Sequence, residues 1–384
     1  MTSVESSLKV ETQAPVHMSK LLLVGPKPPP IGGSPLTVQA ILSELSLYPN
    51  VDVTLINTSP AVDVRQRMTG FNLEKVRRSL IILPEYVSAI RRCDAVLVFA
   101  NDLFAITLGP ILLSLARLFR KPFYLKPVAA SLDLFIESQK KPLRAYLLGV
   151  LRATSGILAQ TRLLQQELTR LGLTNVYYVP GCRSFGPIAP TAQASSTGLR
   201  LIFLGHISRL KGALVLLDAL SSLKQICDQD VTCDFYGPII DEIHDDFLRA
   251  LESVPNARYC GAVEPGIGPQ VIAKYDVLVL PTYHITEGHP GVLIEAMHAG
   301  VPVIGTQVRT FPELITHGIN GLLVPTQDSQ ALAEAIRQLA VDPCLRRRMG
   351  DANRHKGEEF RADVVVAQLL NIIFPNTAAE KGRQ

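Results

Sequence analysis

The chain has 384 residues, 47% of them apolar and 19% charged, with a formal net charge of +4. That length supports two domains with separate cores, and so small a charge excess gives no reason to expect a nucleic-acid partner. The six cysteines (Cys93, Cys182, Cys227, Cys233, Cys260 and Cys344) have neither Cys-x-x-Cys nor His-paired spacing, which excludes the common metal frameworks and reads as buried thiols in a reducing cytosol.

Residues 1–19 are rich in Ser, Thr, Glu and Val without periodicity, and we expect them to be disordered. No secretory leader is visible, because Glu5, Lys9 and Glu11 precede the first apolar run. The longest apolar segment, Leu103 to Ala116, is too short to span a bilayer and contains Pro110. Leu21 to Val24 reads as a buried strand. A Pro- and Gly-rich loop ending at Gly32-Gly33 comes next, then a helix with Ser34 as its expected cap and Pro35 at its first position. This opening is Rossmann-like, yet it lacks Gly-x-Gly-x-x-Gly, and no acidic residue closes the second strand, Val51 to Ile56. A dinucleotide site in this half is therefore not expected.

Further strands are expected at Ala95 to Phe99, Phe123 to Leu125 and Ile157 to Gln160, separated by Leu- and Ala-rich helices. Residues 62–163 carry 16 Lys/Arg against 7 Asp/Glu. The plain reading is a solvated basic surface. The sharper one is a face meeting anionic lipid through Arg65/Arg67, Arg77/Arg78, Arg91/Arg92 and Lys140/Lys141, although no helical segment shows a clear apolar face beside these charges. A strand near Asn175 to Val179 precedes a Pro-, Ala-, Ser- and Thr-rich stretch at 186–198, which has the composition of a linker. The expected division is 1–19 extension, 20–185 first domain, 186–198 linker, 199–359 second domain, and 360–384 a helix crossing back to the first domain with its tail.

The second domain opens with a strand, Leu199 to Leu204, then Gly205 to Gly212 and a helix through Leu214, Leu217 and Leu220. A lysine, Lys211, entering a helix N-terminus makes an anion cradle. A second cradle comes after the apolar run Val277 to Leu280. A polar loop carries Glu287 and Gly288, Pro290 suits a helix start near Gly291, and Glu295 falls about one turn inside that helix. The amides from Gly288 to Ile294 stand between two carboxylates, an arrangement suited to a diphosphate with hydroxyl-bearing sugars on either side. On spacing alone, a capped helix with a surface glutamate at each end is the commoner description.

The segment Glu287-Gly288-His289-Pro290-Gly291-Val292-Leu293-Ile294-Glu295-Ala296-Met297 resembles the Glu-x7-Glu signature of retaining glycosyltransferases of family 4. The blocks Ala299 to Thr306, Pro312 to Ile315 and His317 to Val324 resemble that family at matching distances, and the likeness is strong from Leu199 to Phe374. The resemblance implies an α/β, GT-B-like fold: two Rossmann-like domains facing across a cleft. It implies an enzyme that moves a glycosyl group from a nucleotide-diphosphate sugar to a sugar or lipid-linked acceptor, with no cofactor and no metal. It further implies a cytoplasmic protein, peripheral at the inner membrane face if the basic surface meets lipid.

By the same resemblance, Lys211 and Glu287 carry the chemistry. The donor lies against Glu295, Gly288, Gly291, Val292 and Leu293, with Gly32 and Gly33 approaching its phosphates, and Gly261 and Val263 hold the nucleobase; for Gly32-Gly33 a simple turn after the Pro run is the plain alternative. His206 stands where the family places Arg, and Arg209 is the candidate to supply the missing guanidinium; for Arg209 a surface charge is the plain alternative. His289 stands where the family places Phe or Leu. No histidine occurs between Met18 and His206, so the family's cleft histidine is missing, and Lys126, Ser131 or Asp133 are left to face the donor sugar if anything does. His284, His298 and His317 are expected at loops or helix ends rather than as ligands. Two rival functions remain: a nucleotide-sugar epimerase of the same fold, and a non-catalytic nucleotide-sugar-binding protein.

Overall fold

The structure, a computed structural model, describes residues 18–29, 32–59, 73–186, 198–223, 225–264 and 266–375. Residues 1–17, most of the expected linker, the Arg65/Arg67 pair and the last nine residues lie outside them. The N-terminal half alternates β1 (Ser19–Gly25), α1 (Gly33–Leu45), β2 (Val51–Asn57), α2 (Leu73–Ile90), β3 (Ala95–Ala100), α3 (Leu108–Leu118), β4 (Phe123–Pro127), α4 (Leu132–Ser138), α5 (Lys141–Arg152), β5 (Gly156–Ala159), α6 (Arg162–Arg170) and β6 (Val176–Tyr178). The C-terminal half continues with β7 (Leu199–Leu204), α7 (Ala213–Leu223), β8 (Val231–Tyr236), α8 (His244–Glu252), β9 (Ala257–Tyr259), α9 (Gly268–Ile272), β10 (Val277–Leu280), α10 (Gly291–Ala299), β11 (Val303–Thr306), α11 (Phe311–Leu314) and β12 (Gly321–Val324). Helices α12 (Ser329–Val341), α13 (Pro343–Gly357) and α14 (Ala362–Ile373) complete the chain.

The strands form two six-stranded sheets, ordered β2-β1-β3-β4-β5-β6 and β12-β11-β10-β7-β8-β9, with every pairing parallel. Parallel strands covered by helices on both faces need apolar residues on both, and β3 and β10 are buried at every position. In each sheet the order reverses at one place: between β1 and β3, and between β7 and β10. Loops leaving the carboxyl ends of strands at such a switch point diverge to opposite faces and open a crevice. In the second sheet those loops are 205–212 and 281–290, which carry Lys211 and Glu287.

Helix α14 leaves the C-terminal half. Its Val365, Val366, Leu369 and Leu370 join Leu21, Leu23 and Ile41 in one core cluster against the first sheet. Where the chain crosses, Arg183 N donates to Phe360 O at 3.2 Å and Ala362 N to Arg183 O at 3.1 Å, so the two crossing segments are zipped together.

Three local expectations need correction. Ser34 does not cap α1: the helix begins at Gly33 after an extended Gly32, with no side-chain cap, which leaves Pro35 inside the first turn where its missing N–H costs nothing. The cysteines are not uniformly buried, since Cys93, Cys182 and Cys233 are enclosed while Cys344 is exposed at the start of α13. And α3 does turn apolar side chains outward, Ile111 and Leu118 (73% exposed), about two turns apart with Ser114 and Arg117 exposed between them. No helix among the described residues is long and apolar enough to cross a membrane.

Candidate active site

A cleft of about 570 Å³ lies between the carboxyl ends of the two sheets. The C-terminal half lines it with Glu287, Glu295, Lys211, His206, Gly288, Gly291, Val292 and Val263, and the N-terminal half with Gly32 and Gly33. Ten of the thirteen residues selected from sequence are thus brought together. Arg209, Leu293 and Gly261 do not line it. The Arg209 guanidinium instead pairs with Asp246 on α8 at 2.9 Å, both half exposed, which is the surface-charge alternative. Leu293 is fully buried in the core, and its amide donates to Pro290 O at 3.0 Å. Gly261 turns at φ +78° and its carbonyl accepts from Gly237 N at 2.8 Å, beside the lining residues Ala262 and Val263.

Lys211 is placed by the glycine beside it. Gly212 adopts φ +78°, and a Cβ there would collide with the Pro281 carbonyl, so the turn into α7 admits glycine and holds loop 205–212 against β10. Tyr283 N donates to Leu210 O at 2.9 Å and the Thr282 hydroxyl lies 3.0 Å from the same oxygen, joining the two switch-point loops. Glu287 is fastened at both ends. Its carboxylate pairs with Lys211 Nζ and lies 3.1 Å from Thr282 Oγ1, while its carbonyl accepts from Thr310 Oγ1 at 2.9 Å. With 23% of the Lys211 side chain exposed and 12% of the Glu287 side chain, the pair is sheltered but reachable from the cleft.

Helix α10 begins just after this loop, with Pro290 as its extended N-cap and no side-chain cap; the Leu293 and Ile294 amides turn back onto Pro290 O, at 3.0 and 3.5 Å, and Gly291 and Val292 are the helix-start residues that line the cleft. Glu295 lies one turn in. Burial pushes its carboxyl upward, and Arg183, whose Nε stands 3.3 Å from Glu295 Oε1, opposes that rise.

The first-half candidates are otherwise employed. Lys126 lines the cleft, but its Nζ donates to Val179 O at 2.6 Å, and burial pushes it down to about 8. Ser131 donates to Asp102 Oδ2 at 2.5 Å, and Asp133 pairs with Arg309; neither lines the cleft. Among the histidines, His298 stacks on Phe185 at 3.7 Å and His317 Nδ1 accepts from Leu323 N at 3.1 Å, whereas His284 and His289 line the cleft. His289 is buried edge-on against Phe360, with Nε2 3.5 Å from Glu313 Oε2. Burial pushes its imidazole down, more than Glu313 raises it.

Contacts missed from sequence join the halves. Glu313 accepts from Arg162 N and Leu163 N, each at 2.7 Å, capping α6 across the cleft. Burial would raise the Glu313 carboxyl, but His289 and those two amides outweigh it and hold it low. Ala130 N donates to Thr286 O at 3.2 Å, and Gln160 lies directly over Gly288, where a Cβ would collide with its amide. Sequence signals for these are faint: Glu313 belongs to the family-like Pro312 block, and Arg183 is a lone cation between two apolar stretches.

Known proteins resemble the chain in the same regions. The family model described as glycosyl transferases group 1 matches residues 198–342. The phosphatidyl-myo-inositol mannosyltransferase of Mycobacterium leprae is 31% identical over 178 residues, covering 46% of each chain. Alignments with curated relatives cover between 10% and 60% of the relative's length. Sucrose-phosphate synthase from Thermosynechococcus elongatus superposes with a TM-score of 0.70 at 18% identity, over 94% of this chain and 100% of that one. The Anabaena Alr3699/HepE structure in complex with UDP and glucose gives 0.68 at 16% identity, over 92% and 99%. At such identities these likenesses establish the fold. Residues 198–342 are therefore a group 1 glycosyl transferase domain, set in a chain of GT-B fold.

Proposed function

We propose that the protein transfers a glycosyl group from a nucleotide-diphosphate sugar to an acceptor hydroxyl, with retention of anomeric configuration, in the synthesis of a polysaccharide, glycolipid or other glycoconjugate. One observation carries the reading: Glu287 and Glu295 stand on either side of the uncapped amides of α10, in the same cleft as Lys211. The nearness of a structure holding UDP and glucose, and of a mannosyltransferase, supports it.

In this reading Lys211 and the amides of Gly291 and Val292 stabilise the diphosphate as its charge grows, each well-placed donor lowering the barrier by about 3 kcal/mol. Glu287 holds sugar hydroxyls, Glu295 the ribose, and the backbone near Val263 the base. The acceptor oxygen, entering from the N-terminal side, bonds to the anomeric carbon on the same face from which the diphosphate departs as that bond breaks, and the hydroxyl proton passes to the departing diphosphate oxygen. The reading invokes no resident cofactor or metal. His206 and the Gly32-Gly33 turn border the phosphates. The acceptor is a sugar or a lipid-linked sugar. In the latter case the protein works beside the cytoplasmic membrane face: Ile111 and Leu118 project from α3, and Arg91 and Arg92 are exposed nearby, the Arg91 guanidinium 5.5 Å over Phe119.

Calorimetry with UDP, GDP and ADP, and then turnover of the matching nucleotide sugars with and without added acceptor, tests the assignment. Transfer to an acceptor with retained configuration is expected. Epimerised product without acceptor, or binding without turnover under any condition, refutes it.

A further inference from the structure

A diphosphate needs more positive charge than this cleft offers at first sight. The cations lining it among the described residues are Lys126, Lys211 and Arg183. Lys126 is committed to the Val179 carbonyl. Lys211 is matched by Glu287. The guanidinium expected from Arg209 is turned away to Asp246.

Arg183 occupies a different place from any of these. Its backbone is pinned at the crossing, between Phe360 O and Ala362 N. Its side chain, in a residue only 8% exposed, reaches into the cleft. There Nη1 donates to Thr37 Oγ1 at 2.7 Å and to Cys182 O at 2.9 Å, while Nε faces Glu295 Oε1 at 3.3 Å. The rest of the guanidinium lies flat on the first residue of α10, and a Cβ on Gly291 would coincide with Nη2. Each carboxylate of the glutamate pair thus has one basic partner, Lys211 on Glu287 and Arg183 on Glu295, and the α10 amides run between the two pairs.

We infer that Arg183 supplies the donor site's guanidinium: a phosphate ligand delivered from the crossing between the halves, bonding the nucleoside diphosphate on the ribose side of the α10 amides. The inference rests on the donor-site reading above. Ribose hydroxyls take the Glu295 carboxylate, and the guanidinium, already against Gly291, takes phosphate oxygens that Lys211 does not cover. A planar guanidinium suits two oxygens at once. Because Nη1 is tied to Thr37 on α1, the same contact makes phosphate binding sensitive to the position of the N-terminal half.

The test is calorimetry with UDP, GDP and ADP, and with the nucleoside corresponding to whichever binds, on wild type, Arg183→Ala, Arg183→Lys and Gly291→Ala. Gly291→Ala keeps every backbone amide but fills the space under the guanidinium. Arg183→Ala and Gly291→Ala are expected to lose about tenfold to a hundredfold in diphosphate affinity, with nucleoside affinity altered by less than about threefold, and Arg183→Lys to fall between. Thermal melts and circular dichroism verify folding, and the comparison of diphosphate with nucleoside stays informative even if one variant is less stable. Equal losses for nucleoside and diphosphate would show Arg183 acting through Glu295 alone and overturn the inference. Tighter binding by Arg183→Ala would make it a competitor for the ribose site, with the same consequence. If wild type binds none of the three diphosphates, the donor-site reading fails and this inference with it; undiminished binding by both variants sinks the inference alone.

Discussion

Removing one partner of the Lys211–Glu287 pair should affect stability and ligand binding in different directions. The pair is intermediate between an exposed ion pair, worth at most about 1 kcal/mol, and an enclosed one, whose disruption costs about 3–5 kcal/mol. With the side chains 23% and 12% exposed, Lys211→Ala and Glu287→Ala should each destabilise by about 2 kcal/mol. The double variant should cost little more than either, because the second change removes the stranded charge; the coupling should be about 1–2 kcal/mol. Ligand binding should then separate the two. Lys211→Ala removes a charge-assisted contact and leaves Glu287 facing phosphate, so nucleoside diphosphate affinity should fall about tenfold to a hundredfold. Glu287→Ala leaves Lys211 wholly available, so affinity should hold or tighten by up to about tenfold, while turnover falls by about two orders of magnitude. Denaturant midpoints, calorimetry with UDP, GDP and ADP, and turnover of the matching nucleotide sugar measure all three quantities. If Glu287→Ala weakens nucleotide binding as much as Lys211→Ala, or if the two stability losses simply add, the division of labour drawn from this pair is wrong.

Glu313→Gln should lower stability by about 1 kcal/mol through loss of the α6 cap, and hydrogen exchange at the Arg162 and Leu163 amides should accelerate; unchanged exchange would dissociate Glu313 from that helix. The basic face and the exposed apolar side chains of α3 should bring the protein down with anionic vesicles at low salt and release it as salt rises, with Leu118→Asp abolishing the binding. Sedimentation with neutral vesicles equal to that with anionic ones would remove the electrostatic part of this reading. Lys126, pushed down to about 8 from an ordinary 10.5, binds fewer protons folded than unfolded across that interval. Stability should therefore rise with pH from about 8 to about 10.5, and Lys126→Met should flatten the rise; a wild-type curve no steeper than the variant's speaks against a buried ammonium.

Much of this was legible in the residues. Apolar runs such as Val277 to Leu280 announced strands covered on both faces, because burial on a sheet is a property of the strand's own composition. Helix α10 begins at Gly291 because Pro290 cannot continue a helix backwards and suits its entry, which places Glu287 before the amides and Glu295 one turn after them by spacing alone. Gly212 beside Lys211 marked a turn that a side chain would block. What periodicity does not encode is which distant element a side chain meets. Arg209 and Arg183 are both single arginines near glycine turns. One points to Asp246 and the other to Glu295, 112 positions away, because the first lies on the outer side of its loop and the second at a crossing that exists only once α14 has packed on the first sheet. Asp133 meets Arg309, and Glu313 caps α6 on the far side of the cleft, for the same reason. Local chemistry decided the helices, strands and turns that carry the site, and only the docking of the two halves decided which charges face each other inside it.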